Sequence, residues 1–338
     1  MNISASPFEN DVFSIEKWNF YYSELYLPNT ILIAIGLIVG ISGNAFVIFV
    51  YQRGLKNKGQ GRFFIPILAT VDLASVTACS IYNIVQITRH VTFPGTLICR
   101  FFVYIIRVIL AHSTMIMTAI AVTRCLKICQ IINHKIRTFH LWIFIASAGI
   151  FSFISNIPVL FAFGVVEVYK KNVTGYMCKE IDDEAHILDK GNMIFVGLFH
   201  GANILIITVS YVLIAIRIFN IHRRQNTSKM DTTGSGETMQ SSPTVKRRPK
   251  SLWTYRLTLM FFTMQLCMLT AFIPPFIIIT QEMADRDFWE RKRDDLSKNA
   301  FLAMRMLYFT NAVVNPFIYG FFDHAFRRKL VDMACKTE

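Results

Sequence analysis

The chain of 338 residues is 53% hydrophobic and only 17% charged, with a mean hydropathy of +0.42 and a formal charge of +13. Soluble domains carry about 25% charged residues, so the composition places the chain in a membrane. Its Lys and Arg residues stand between apolar runs instead of forming one basic domain, which sets nucleic acid aside as a partner and makes the charge a matter of topology.

Residues 1–27 are acidic and aromatic and lack the charged-then-apolar pattern of a signal peptide. They read as an extracellular amino-terminus, translocated by a first span that acts as signal-anchor. A spanning helix needs about 20 mostly apolar residues. Seven stretches qualify: Thr30–Tyr51, Phe63–Ile87, Phe101–Val122, Leu141–Val166, Met193–Ile216, Leu257–Thr280 and Ala300–Phe322. Arg53, Lys56, Lys58 and Arg62 follow the first, Arg124, Lys127, Lys135 and Arg137 the third, and Arg223, Arg224, Lys229 and the run Lys246–Lys250 the fifth. The alternate connections carry most of the acids, among them Glu180, Asp182, Glu282 and Asp285. The asymmetry puts the amino-terminus outside and the carboxyl-terminus inside. Asn2 and Asn172 then head extracellular glycosylation sequons, whereas Asn226 heads one on the cytoplasmic side. The expected fold is an all-α, seven-transmembrane bundle over residues 28–322, one domain. Its third cytoplasmic loop, 223–250, includes a Ser/Thr/Gly-rich piece, Thr232–Val245, that reads as disordered.

The end of the chain reads NAVVNPFIYGFFDHAFRRKL from Asn311 to Leu330. Pro316 removes a backbone donor inside a span. Directly after, Phe321, Phe322, Phe326 and Leu330 alternate with Asp323, Arg327, Arg328 and Lys329, the pattern of a helix lying on a membrane surface. Residues 323–338 are therefore read as an amphipathic eighth helix and a short tail, with Cys335 as a lipidation candidate. The N-P-x-x-Y motif of Asn315, Pro316 and Tyr319, followed by this basic segment, resembles the close of rhodopsin-like G-protein-coupled receptors.

That resemblance implies roles for several residues. Asp72 lies in an apolar field of the second span, and Ser113, Asn311 and Asn315 sit at comparable depth. Their oxygens suit a small hard cation, and the family uses these positions for an allosteric sodium ion; the alternative is a hydrogen-bonded polar core. No Cys/His cluster has metal-ligand spacing. On the expected topology Cys99 and Cys178 are the two extracellular cysteines, which leaves one disulfide or two free thiols; the family's conserved bridge agrees with the former. Arg124, 25 residues after Cys99, takes the place of the family's G-protein-contacting Arg. Ile106, Ser113 and Arg124 fall within about 20° of one line along their helix. Tyr211 and Tyr319 match two switch tyrosines, and Phe272 with Pro274 matches the C-W-x-P toggle, Phe replacing Trp. Other departures are Thr123 for the acid before the Arg, Cys125 for the Tyr, and Asn203 for the Pro of the fifth span.

Ile106, 18 residues before Arg124, replaces the Asp that an amine ligand would need. Tyr308 matches the retinal Lys of opsins, and Ala300–Phe322 holds no Lys, so neither ligand class is expected. Arg107 and Arg305, with Gln86 and Tyr308 at similar depth, suit a carboxylate or an amide terminus, unless they snorkel outward or pair with Glu282 and the loop acids. The reading is a plasma-membrane receptor for a peptide, or alternatively for a small carboxylate or lipid acid, acting on a heterotrimeric G protein, with arrestin and a receptor kinase as further partners. A channel or transporter would show repeated halves, and an intramembrane enzyme an H-E-x-x-H motif or a pair of Asp residues; none is seen. No enzymatic activity and no cofactor beyond the sodium-like ion is expected.

Overall fold

A computed structural model describes residues 13–54, 62–131, 137–181, 185–233, 250–285, 288–289, 291 and 293–335. Asn2, Lys56, Lys58, Lys135, Asp182, Asp183, Glu184, Asp287, Glu290 and most of Thr232–Val245 and Lys246–Lys250 lie outside these residues. A short helix, α1 (Ile15–Leu25), precedes α2 (Leu27–Gly54), α3 (Phe64–Thr88), α4 (Thr96–Ile128), α5 (Thr138–Ser155) and the single turn α6 (Val159–Ala162). Two strands follow, β1 (Phe163–Lys170) and β2 (Val173–Glu180), then α7 (Ala185–Thr233), α8 (Lys250–Ala284), α9 (Asp295–Met306), α10 (Thr310–Phe322) and α11 (His324–Ala334).

Among the described residues six helical stretches are long and apolar enough to cross a membrane: 27–52, 64–88, 96–128, 138–162, 194–221 and 256–282. The seventh crossing is α9 and α10 in series, joined by a 3₁₀ turn, Leu307–Phe309. The seven-helix reading therefore holds, with the last span in segments. The fourth ends earlier than expected. Pro158 has no amide hydrogen to carry α5 onward, and Phe163–Val166 enter β1 instead of the span.

The hairpin follows from its sequence. β1 and β2 are rich in β-branched and aromatic residues, and they pair antiparallel from Phe163↔Glu180 to Lys170↔Val173. That register leaves a two-residue turn, Lys171 and Asn172, with φ of 47° and 62°. Positive φ at both positions is what a tightly twisted two-residue turn requires, and Asn tolerates it well.

α4 runs through the middle of the bundle, with Val103, Ile106, Ser113, Met117, Ile120 and Arg124 all buried along its length. Two apolar clusters divide the interior. One surrounds Ile65, Ile120, Phe261 and Tyr319 towards the α11 end; the other surrounds Val76, Val103, Met306 and Phe309 towards the hairpin end. Asp323 departs from the expected surface face. It is 4% exposed and caps α10 ahead of α11, because Arg62 and Tyr51 supply the donors that its carboxylate would otherwise find in water.

Candidate functional site

At the hairpin end, Cys99 at the start of α4 is bonded to Cys178 on β2, with 2.02 Å between the sulfurs and 5.6 Å between the Cα atoms. β2 is held further by the α3–α4 connection: Tyr176 donates its amide to the Val91 carbonyl at 2.7 Å and accepts from the Phe93 amide at 3.0 Å. Arg100 Nε donates to the Phe163 carbonyl at 2.9 Å. The covalent bond and these hydrogen bonds fix the hairpin across the mouth of the bundle.

Below it the ionisable groups gather. Arg305 on α9 donates through Nε to Glu282 Oε1 on α8 at 2.7 Å. Trp289 Nε1 donates to the same oxygen at 2.8 Å. No described residue takes the two terminal nitrogens of Arg305. The Arg107 guanidinium lies 5.2 Å from the centroid of the Phe163 ring. Tyr82 on α3 is within electrostatic reach of Arg305, Arg107 and Glu282 together, and its hydroxyl is 3.6 Å from Cys178 Sγ. Asn83 and the Tyr308 hydroxyl exchange a long hydrogen bond of 3.4 Å. Gln86 Oε1 is buried and accepts from no described residue. Arg305, Arg107 and Tyr308 are thus linked through Tyr82, Asn83 and Glu282. The Arg305–Glu282 pair is the alternative that the sequence offered for Arg305, whereas nothing in the sequence singled out Tyr82.

Midway along the bundle Asn315 Nδ2 donates to Asp72 Oδ2 at 2.7 Å. Asp72 Oδ1, Asn311 Oδ1 and Asn315 Oδ1 are buried and accept nothing from the described residues. Ser113 is buried on α4, at 4% exposure. Unsatisfied oxygens on the carboxylate and on the asparagine that donates to it match the donor chemistry of a small hard cation. Asn44 on α2 adds a contact that the sequence reading missed. Pro316 has no amide hydrogen for the Ala312 carbonyl, and Asn44 Nδ2 donates to that carbonyl at 2.8 Å and to Gly40 O at 2.9 Å. An isolated Asn amid the apolar residues of α2 was the available signal.

Towards the α11 end Arg124 is 5% exposed, its guanidinium 4.8 Å from the centroid of the Phe261 ring. Thr123 Oγ1 turns back on its own helix, donating to the Ala119 and Ile120 carbonyls at 2.8 and 3.0 Å. The hydroxyls of Tyr211 and Tyr319 are both buried without a partner among the described residues. Asn203 accepts from Thr118 Oγ1 at 2.7 Å and returns its amide to the Phe199 carbonyl at 2.8 Å. The Phe272 ring centroid lies 6.4 Å from that of His200, two residues before Pro274 inside α8. Arg62 clamps Asp323 with both arms at 2.7 Å, Nε on Oδ2 and Nη2 on Oδ1, and Tyr51 donates to Oδ2 at 2.7 Å. Cys335 is exposed just beyond α11.

A disulfide-tied mouth, a polar centre and a buried Arg at the far end define a seven-helix membrane receptor. The sequence matches the family profile "7 transmembrane receptor (rhodopsin family)" over residues 43–319, and the chain belongs to that family. Its members are receptors and not enzymes. The chain is 24% identical to a type-1 angiotensin II receptor B of Xenopus laevis over 344 residues, covering 98% of this chain and 86% of the relative. It is 26% identical to a cysteinyl leukotriene receptor 1 of Sus scrofa over 225 residues, 62% of this chain and 60% of the relative. A melanopsin-like protein of Danio rerio is 33% identical over 106 residues, 31% of this chain. That match spans only 21% of the melanopsin-like protein's length.

Proposed function

We propose that the chain is a plasma-membrane receptor, with its disulfide end outside and α11 inside, that binds an extracellular ligand and activates a heterotrimeric G protein. The observation that carries the ligand class is the gathering of Arg305, Arg107 and Tyr82 beneath the hairpin. Glu282 takes the Nε edge of Arg305, so the terminal nitrogens remain for a carboxylate or an amide carbonyl. A peptide held by its terminus is the favoured ligand, supported by the relative named for angiotensin II, which aligns along 98% of the chain. The relatives named for leukotrienes favour a second reading, a small carboxylate or lipid acid. Both readings use the same guanidinium. Peptide and carboxylate libraries, screened on transfected cells for GTP-sensitive signalling, separate them. With an agonist identified, Arg305→Ala should weaken it by about 1.5–3 kcal/mol, the range for charge-assisted hydrogen bonds. Unchanged affinity at normal surface expression would remove Arg305 from the pocket.

At the other end Arg124 engages the G protein in the active state, with Tyr211 and Tyr319 as the switch tyrosines that swing toward it, and arrestin and a receptor kinase act later. Asn172, exposed at the tip of a hairpin turn, offers its side chain to glycosylation. Asp72, Ser113, Asn311 and Asn315 hold a sodium ion that favours the resting state. Agonist affinity should then fall as sodium rises, because ion and agonist select different populations. Asp72→Asn should flatten that dependence, and a sodium response unchanged by the substitution counts against the site.

A further inference from the structure

We propose that Arg256, His324 and Arg327 form a seat for a phosphate group, and that its natural occupant is the phosphomonoester headgroup of an anionic membrane lipid. His324 opens α11. Arg327 Nη2 lies 2.9 Å from its Nδ1 and 3.2 Å from its Nε2. Arg256, from α8, brings Nη1 against the same Nε2. A neutral imidazole has one ring nitrogen able to accept, the other carrying a hydrogen; a protonated one has none. Two guanidinium groups therefore converge on a ring that can satisfy one of them at most.

No carboxylate relieves the excess charge among the described residues. Asp323, next in sequence, is buried and committed to Arg62 and Tyr51. All three side chains of the seat are exposed. An anion with several oxygens can take both guanidinium forks at once and accept from a protonated imidazole as well, which a monodentate partner cannot do.

Depth selects the source. Arg256 directly precedes the apolar stretch Leu257–Thr280 and the buried side chains Leu257, Met260 and Phe261 on α8, and α10 ends at Phe322, two residues before His324. The seat thus stands where two spans leave the hydrocarbon, at the level of headgroup phosphates. α11 continues along that level, with Phe326 buried against the bundle and Arg328 and Val331 exposed. Basic pockets at the ends of spanning helices are known lodgings for phosphorylated inositol headgroups. An occupant bridging Arg256 and Arg327 would hold the start of α8 to α11.

The test places the full chain in phosphatidylcholine nanodiscs doped with either phosphatidylinositol monophosphate or phosphatidylserine, and counts retained lipids by native mass spectrometry. Both leaflets of a nanodisc carry the dopant, so the result does not depend on the orientation proposed above. The wild type should retain the inositol lipid over phosphatidylserine. The variant R256Q/R327Q should lose that preference by about tenfold, as expected for removing charge-assisted contacts. R328Q/K329Q removes the same charge beside the seat and should keep most of it. Equal loss in the two double variants, or full retention by R256Q/R327Q, overturns the seat. A last arm offers inorganic phosphate in detergent: binding there with no preference for the lipid in nanodiscs overturns the assignment to the bilayer.

Discussion

With both its oxygens engaged by Arg62 and one of them shared with Tyr51, Asp323 ties α2 and the residues before α3 to the start of α11. The pair is desolvated, at 4% and 8% exposure, so removing one charge leaves the other buried. Such losses cost about 3–5 kcal/mol, well beyond the 0–1 kcal/mol of an exposed pair. Asp323→Asn is therefore expected to lower the detergent melting transition and to speed amide exchange in α11 first. A loss under about 1 kcal/mol would show that water reaches the pair. The sequence pattern put Asp323 on the wet side of the surface helix and gave Arg62 a topological role. Charge asymmetry reports which side of the membrane a loop occupies, but not which of its cations turns inward. Asp72, Asn311 and Asn315, by contrast, were legible because a polar group in an apolar span has few places to go.

The small residues of α2 form one such contact face. A Cβ at Gly40 would stand 2.7 Å from a Val76 methyl, at Gly36 2.5 Å from the Phe309 ring, and at Gly43 3.0 Å from Pro316. These glycines let α2 approach α3, the 3₁₀ turn and α10 closely, as small residues do between membrane helices. Gly40→Ala should cost about 1–3 kcal/mol by overpacking against a stiff β-branched neighbour. Reduced melting temperature of the purified protein checks it; unaltered stability would mean that α2 and α3 can separate freely. Long apolar elements were readable from sequence because hydrophobic length alone places a helix in a bilayer. The hairpin was not, although its alternating Val-Val-Glu-Val-Tyr and the Lys171-Asn172 turn carried the signal. Those valines read equally well as the end of a span. Likewise, composition does not mark the break at Leu307–Phe309, which falls inside an apolar run.

For the molecule as a whole, the balance between resting and active states rests on what holds Arg124. An acid directly before it would form an ion pair; Thr123 instead bonds to carbonyls of its own helix, and Thr254 near the start of α8 brings no carboxylate. The guanidinium packs over Phe261, a contact of about 0.5–2 kcal/mol. With Thr123 in place of that acid, the active fraction should rise several-fold at most. Basal G-protein activation above an empty vector is therefore expected, and lowered by Thr123→Asp at matched surface expression. Basal activity equal to the vector would show that the ring contact and its neighbours suffice. The broken last span adds a mechanical consequence. Arg305 lies on the near side of the 3₁₀ turn and Tyr319 on the far side, so the turn is a pivot with arms of unequal length. From Tyr308 to Tyr319 the longer arm measures roughly 17 Å at the helical rise per residue. A tilt of roughly 5° there carries the Tyr319 end sideways by about 1.5 Å on that arm, which turns a small displacement at the mouth into one comparable to a bond length at the opposite face.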